Sequence, residues 1–261
     1  MGKITKPKVL LAIPAYRCEN QITRVLDEID DELSARVEEI AVIDNGSPDK
    51  TVEVALAYKK TGRLPQLHIY KNKNNYNLGG THKVAFLRAQ KLGLTHVVIL
   101  HGDNQAKSDE ANRLLDYAEA HPDSQTVLGS RFSKGSVLQG YDWKRIWGNK
   151  VLNLVYTLLT GRHCQDLGSG LNLFALRDLD QKTYLEFADK LTFNFELLLD
   201  LIKRKVNFAY VPITWREEDQ VSNARNANIA KIAFINVVLW RLGKTRPSVH
   251  KPEDYQCEEI T

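Results

Sequence analysis

The chain has 261 residues, 43% hydrophobic and 26% charged, with a formal net charge of +4 and a pI near 8.8. That size and polarity suit one large α/β domain or two small ones, with a core that needs no metal or disulfide staples. The balance is mildly basic, which favours anionic ligands or a membrane surface without requiring either, and no nucleic-acid partner is expected.

The opening MGKITKPKVLLAIPAY carries lysines, but its apolar run is too short for a secretory signal and no small-residue cleavage site follows. Its KVLLAIPAY portion reads as a buried strand stopping at Pro14. Residues 19–37 place Ile22, Val25, Leu26 and Ile29 at helical spacing and predict a helix. EEIAVIDNGSPDKT is a second strand breaking into a turn, with Asp49 as N-cap of a helix through Val54 and Tyr58. QLHIYKN is a third strand, NYNLGGTHKVAFLRAQKLG a loop and a helix stopped by Gly93, and THVVIL a fourth strand. Residues 109–120 predict another helix and QTVLGS another strand. SRFSKGSVLQGYDWKRIWGNK reads as a long basic and aromatic loop, followed by a helix in VLNLVYTLLTG. Then come DLGSGLNLF, a helix around NFELLLDLIKRK, a strand in NFAYVPITW, the polar loop REEDQVSNARN and an apolar helix over about 228–243. The tail from 245, with Pro247 and Pro252, is expected to be poorly ordered. No stretch reaches the roughly 18 apolar residues of a spanning helix, and the protein is expected in the cytoplasm. Cys18, Cys164 and Cys257 lie far apart without zinc-like spacing and read as free thiols.

Strands alternating with helices predict an α/β fold, a mainly parallel twisted sheet with helices on both faces. Ligands of such sheets bind outside the carboxyl ends of the strands. Tyr16, Asp44 and Asp103 each follow a strand end, so three polar residues gather at one sheet edge. Each acid taken alone is equally well explained as a turn cap.

IPAYRCEN, AVIDNGSPDKT, NLGGTHKVAF, ILHGDNQ, VLGSR, DLGSGLNLF and VPITWREEDQVSN occur in the order used by family 2 glycosyltransferases. The chain resembles that family over roughly residues 8–225, and within it looks like the dolichol-phosphate mannose synthase and polyprenyl-phosphate glycosyltransferase branch. The resemblance implies a GT-A fold in one domain over 1–225, with a nucleotide-sugar half to about 130 and an acceptor half beyond. Residues 226–261 would follow as an apolar helix and polar tail. It implies an inverting enzyme that takes a nucleotide-diphosphate sugar and a polyprenyl phosphate of the dolichyl or undecaprenyl type.

The resemblance also implies a site. Pro14, Ala15, Tyr16 and Glu19 fall on its first nucleotide loop; Asp44 would accept from base N–H groups, over a turn of Asn45, Gly46 and Ser47. Gly80, in the glycine pair opening a helix, either brings backbone N–H groups to phosphate or serves a tight turn. The family's aspartate-any-aspartate motif with a following glutamine reads His101-Gly102-Asp103-Asn104-Gln105. Asp103, with Gln105, would hold Mg2+ or Mn2+ on the diphosphate. His101 replaces the first acid, as a manganese ligand, a partner of phosphate or ribose, or a strand-end residue facing a polar pocket. Arg131 and Arg145 match phosphate-binding positions, which suit the planar guanidinium fork, and Arg225 is a candidate for the same part although REEDQVSNARN departs from the family's arginine-glycine-glutamate-serine pattern. Asp166, Ser169 and Gly170 match the acceptor-side loop, and Glu196 lies near the catalytic acid of other members. A hydroxyl acceptor needs such a base; a phosphate, already an anion, does not.

Two other readings stand beside this one: transfer to a sugar hydroxyl of a growing cell-surface glycan, and a nucleotide-sugar-binding protein without catalysis, motivated by His101. The stretch 229–240, IAKIAFINVVLW, followed by Arg241 and Lys244, suits a helix lying in a membrane surface, a core helix or a dimer contact. Residues 226–244 are therefore the expected membrane-surface element, and an oligomer stays open.

Overall fold

The apolar runs fold into strands and the stretches between them into helices, in a computed structural model that describes residues 6–217, 226–244, 248 and 250–261. The first half runs β1 (Val9–Ala15), α1 (Ile22–Asp27), α2 (Asp31–Arg36), β2 (Glu39–Asp44), α3 (Thr51–Lys59), β3 (Leu67–Asn72), α4 (Asn77–Lys91), β4 (His96–Leu100), α5 (Ala111–Ala120) and β5 (Thr126–Ser130). The second half runs β6 (Val137–Gln139), α6 (Trp143–Thr160), β7 (Leu171–Ala175), α7 (Gln181–Leu185), α8 (Phe193–Lys203), β8 (Phe208–Pro212), β9 (Thr214–Arg216), α9 (Asn226–Arg241) and β10 (Cys257–Ile260). One sheet has the strand order β10-β3-β2-β1-β4-β7-β5-β8, and β6 pairs with β9 in a short parallel ribbon. Within the sheet β7 runs antiparallel to β4 and β5, and β10 antiparallel to β3; the other pairs are parallel.

The pleat sorts β1 between two cores. Leu10 and Ala12 pack with Val84, Phe86 and Leu198 on one face, while Leu11 and Ile13 pack with Ile22, Leu26 and Leu114 on the other. Helices on both faces follow from that alternation. The strand order reverses at β1, with β2 and β3 to one side and β4 to the other, which opens a crevice at the strands' carboxyl ends. Register brings Ala15 level with Asp44, and Ala12 level with Ile99. The chain leaving β4 crosses close to β1: Gly102 donates its N–H to Pro14 O at 2.9 Å, and a Cβ at Gly102 would stand 3.2 Å from that oxygen.

Three expectations change. The single helix over 19–37 is two, because the Asp30 carboxylate accepts the Leu33 N–H (2.7 Å) and caps a fresh helix. The basic, aromatic loop holds β6 and the first two turns of α6, started by the Asp142 carboxylate on the Lys144 N–H and stopped at Gly161 with φ +71. The tail, expected to be poorly ordered, contributes β10 to the sheet edge.

A buried charge anchors that tail. Lys83 on α4 is fully buried and donates from Nζ to Leu185 O (3.1 Å), Phe187 O (2.5 Å), Asp189 Oδ1 (2.7 Å) and Tyr255 Oη (2.8 Å). The Asp189 Oδ2 accepts from the Ser248 hydroxyl (3.1 Å) and pairs with His250 Nδ1 (2.8 Å). Burial alone would raise the Asp189 carboxyl; hydrogen bonds from Lys83, Tyr255 and His250 outweigh it and hold it below the usual carboxylate range.

Candidate active site

The crevice at the switch point holds a cleft of about 290 Å³, lined by Pro14, Ala15, Tyr16, Asn45, Asn75, Asn77, Leu78 and Thr81. Tyr16 leaves 42% of its surface exposed at the rim, a ring available for stacking. Two loops are tied together beneath it. Arg17 N–H donates to Ser47 Oγ (3.0 Å), Cys18 N–H to Thr51 Oγ1 (2.8 Å), and Lys50 N–H to Glu19 Oε2 (3.0 Å). Asp49 accepts from Thr51 N–H (3.2 Å) and from Glu19 N–H (3.3 Å), so it steadies the turn into α3 and holds the first loop, while the N-cap position itself falls on Lys50 and not on Asp49 as expected.

Asp44 is fully buried and turns back on its own loop: its carboxylate accepts the N–H groups of Gly46 (3.0 Å) and Ser47 (3.1 Å). Gly46 has φ +75, a conformation that this turn imposes and glycine adopts without strain. Asn45 accepts from Asn72 Nδ2 and Tyr76 N–H and donates to Asn75 Oδ1, knitting the ends of β2 and β3 into one wall. Gly79 and Gly80 direct their N–H groups to Asp189 O, at 2.6 and 3.2 Å. A Cβ on Gly79 would stand 2.5 Å from Phe193 Cβ, so close packing requires glycine there.

Asp103 lies just past β4, half-buried, with Oδ1 accepting the Gln105 N–H at 3.2 Å. Asn104 between them has φ +58 and is held through its side chain by Arg216 at 3.0 Å. His101 approaches His82 of α4, Nε2 to Nε2, at 3.2 Å. Burial lowers both imidazoles below the ordinary histidine range; at His101 the charge of Asp103 opposes this and Arg131 adds to it.

The acceptor side is built on ion pairs. Arg131 donates from Nε (2.8 Å), Nη2 (2.7 Å) and its backbone N–H (2.9 Å) to Asp166, and its guanidinium lies 4.9 Å from the Trp215 ring centroid. Burial alone would lower the Arg131 pKa, but Asp166 outweighs it and keeps the guanidinium charged. Arg145 pairs with Glu217 and lies over the Tyr141 ring at 4.7 Å, and Tyr141 in turn meets Arg131 Nη1 at 3.5 Å. Ser169 is buried and donates to Leu171 O (3.1 Å). A Cβ at Gly170 would stand 2.9 Å from His101 Nδ1. Glu196, in the first turn of α8, accepts the Ala188 N–H at 2.8 Å. Arg225 lies outside the described residues.

Pro14, Ala15, Tyr16 and Asn45 thus share one cleft, and His101 and Asp103 leave the neighbouring strand. Gly80 and Ser169 are committed to backbone oxygens elsewhere. His82, Tyr141, Trp215 and Glu217 join the site through contacts distant in sequence, and no local pattern singles them out. Among the described residues no group of three His, Cys, Asp or Glu is placed to hold a metal. One carboxylate, Asp103, fits a hard divalent ion only when phosphate oxygens and water complete its shell.

The sequence pattern of glycosyl transferase family 2 matches residues 11–180. Polyprenol monophosphomannose synthase of Mycolicibacterium smegmatis is 26% identical over 240 residues, covering 89% of this chain and 86% of that protein. UDP-N-acetylglucosamine–dolichyl-phosphate N-acetylglucosaminyltransferase of Methanococcus voltae is 24% identical, covering 90% of this chain and 97% of that protein. Glucosyl-3-phosphoglycerate synthase of Mycobacterium tuberculosis, solved with UDP, superposes with a TM-score of 0.66 at 19% identity, over 91% of this chain and 81% of that one. That likeness shows the GT-A fold expected from the motifs. With the motifs in order, the cleft at the switch point and a pattern match across most of both halves, the chain belongs to glycosyl transferase family 2.

Proposed function

We propose that the protein transfers a sugar from a nucleoside-diphosphate sugar to a polyprenyl phosphate, with inversion at the anomeric carbon. The observation that carries it is the ending of β1 and β2 in register, Ala15 level with Asp44, with Gly102, the residue before Asp103, bonded to Pro14 in the cleft wall. The nucleoside occupies the cleft, with Tyr16 at its rim and the Asn45 wall beneath. The diphosphate extends toward Asp103. When bound with the donor, Mg2+ or Mn2+ supplies neutralisation of the departing diphosphate.

The acceptor half supports a phosphate. Arg131 and Arg145 bracket Tyr141, and each is paired with an acid that fixes its fork. A phosphate acceptor attacks as an anion, so no residue need take a proton, and the engagement of Glu196 with Ala188 costs the reaction nothing. The relatives named as polyprenol- and dolichyl-phosphate sugar transferases support the same acceptor class.

The lipid end needs an apolar surface, and α6 offers one. Trp143, Trp147, Val151, Leu154 and Leu158 are exposed at positions that share one helix face. Arg145, two residues after Trp143, lies on the other side of α6, so the stripe and the arginine cluster share the start of the helix but not a face. The exposed apolar surface therefore lies more on α6 than on 226–244, where Ala233, Asn236 and Val237 are buried.

The test is direct. Purified protein is given a panel of radiolabelled nucleotide sugars with a short-chain polyprenyl phosphate and magnesium or manganese. One donor should yield a lipid-linked sugar phosphate of inverted anomeric configuration. Transfer only to a glycan hydroxyl would replace the lipid reading, and donor binding without turnover on any acceptor would favour the non-catalytic one.

A further inference from the structure

One wall of the nucleotide cleft comes from a single stretch, Asn75, Asn77, Leu78 and Thr81, where the chain passes from β3 into α4. Asn77 there has φ +57, which an L-residue keeps only where its surroundings fix it. Tyr76 stands inside this stretch and faces two ways. Its backbone N–H donates to Asn45 Oδ1 at 2.8 Å, within the wall. Its side chain is fully buried and is gripped by the C-terminal segment. The hydroxyl donates to Asp254 O and accepts the Gln256 N–H at 3.3 Å. The ring meets His250 and Tyr255 edge-on, with centroids 5.2 and 5.4 Å away. Just before it, Lys73 donates its N–H to Gln256 O at 3.0 Å. Residues 250–256 themselves are absent from the cleft lining.

The wall is thus fixed from both sides. From the cleft, Asn45 Nδ2 donates to Asn75 Oδ1 at 2.9 Å, and the same oxygen accepts the Asn77 N–H at 3.0 Å. From behind, the tail holds Tyr76. A ligand seated against Asn75 and Asn77 favours the wall position that the docked tail also favours. Two events that favour one arrangement stabilise each other by the same factor. We propose that Tyr76 is a positioning residue that couples docking of the C-terminal segment to occupancy of the nucleotide cleft. This rests on the nucleoside occupying that cleft. It gives the tail, which lies beyond residues 11–180 of the family pattern, a part in donor binding.

UDP, GDP, ADP and CDP are titrated into the full chain by calorimetry in magnesium, and amide hydrogen exchange is followed with and without the tightest of them. Binding should slow exchange in the wall, over 75–81, and also in the tail, over 254–260. Amides of β8, at the far edge of the sheet, should exchange as before. Tyr76→Phe keeps the ring and removes both hydroxyl bonds. It should weaken the nucleotide about fivefold and abolish the nucleotide-dependent protection of the tail. A residue with a structural part alone would lower the melting temperature and leave that affinity unchanged. A phenylalanine variant that binds as tightly as wild type therefore overturns this inference alone, as does wild-type protein whose wall is protected and whose tail is not. The wild-type exchange decides by itself if Tyr76→Phe does not fold. Binding of none of the four, or binding that leaves 75–81 unprotected, overturns the reading of the cleft and this inference together.

Discussion

Asp44 and Asp103 stand at the ends of the two strands that flank β1, yet their carboxylates are placed for different work. Asp44 is buried and holds the Gly46 and Ser47 N–H groups, so it shapes the turn under the cleft. Replacing it by alanine strands two donors, each worth about 1–3 kcal/mol when buried. Asp44→Ala should therefore lower the melting temperature and raise the donor KM, with kcat little changed, because on the proposed donor pose the turn would lie under the nucleoside and away from the reacting carbon. Steady-state kinetics with a melting curve on the same preparation checks this; a large fall in kcat with KM unchanged contradicts it. Asp103 is half-exposed and, among the described residues, bonds to the Gln105 N–H alone. Asp103→Asn keeps that turn and removes the charge, so kcat should fall about 100-fold or more while the protein melts as before. Transfer near the wild-type rate would remove Asp103 from the diphosphate end. From the sequence, both acids read alike, as a turn cap or a ligand. What separates them is which N–H groups fold back onto each carboxylate, and that is set by backbone geometry.

The elements show where sequence reading works and where it stops. The strands are legible because each buried face writes itself as an apolar run, and the run ends where a polar residue emerges. The start of α6 is not, because Trp143 and Trp147 lie on an exposed face and leave no core periodicity to read. Nor is the tail: CEEI is short and charged, as an edge strand tends to be, and its pairing with β3 spans most of the chain. The anchor of that tail joins α4 to residues more than a hundred positions on, through Lys83 and Asp189. Their pairing predicts a measurable fragility. Asp189→Asn leaves the Lys83 ammonium buried without its counter-charge, which costs about 3–5 kcal/mol. Hydrogen exchange should show β10 losing protection first. The sign with pH follows from the depressed Asp189 pKa. Its contribution is present above the ordinary carboxylate value of about 4 and is lost as pH falls below that value, through the depressed one. Urea titrations at pH 6 and pH 3 should show the gap between wild type and Asp189→Asn narrowing at the acid end. A constant gap would mean the carboxylate contributes by shape and not by charge.

For the whole molecule, the question is how a lipid-linked acceptor meets a chain in which no described helix is long and apolar enough to cross a membrane. The answer lies in how α6 and α9 divide their faces. On α9, Ala233 and Val237 are buried, and Ala233 O accepts the Tyr156 hydroxyl at 2.8 Å, so that helix is bound into the core. Removing 226–261 would strip α9 from that core and β10 from the sheet, and loss of membrane binding in such a truncation would say little. On α6 the stripe is open: Trp143 is 65% exposed, Trp147 64% and Leu158 73%. Lys144 and Lys150 are exposed on the same helix, and Lys231 and Arg241 on its neighbour. Paired tryptophans suit headgroup depth, and each lysine or arginine near an anionic surface adds about 1 kcal/mol, screened by salt. The protein should therefore sediment with anionic liposomes at low salt and release as salt rises. Trp143→Glu with Trp147→Glu should weaken sedimentation about tenfold or more at every salt concentration. Because both side chains face solvent, the melting temperature should hold and transfer to a water-soluble short-chain acceptor should continue. Sedimentation unaffected by the double substitution would move the membrane contact off α6. No sedimentation at any salt would mean that the lipid phosphate is delivered by a membrane-bound partner.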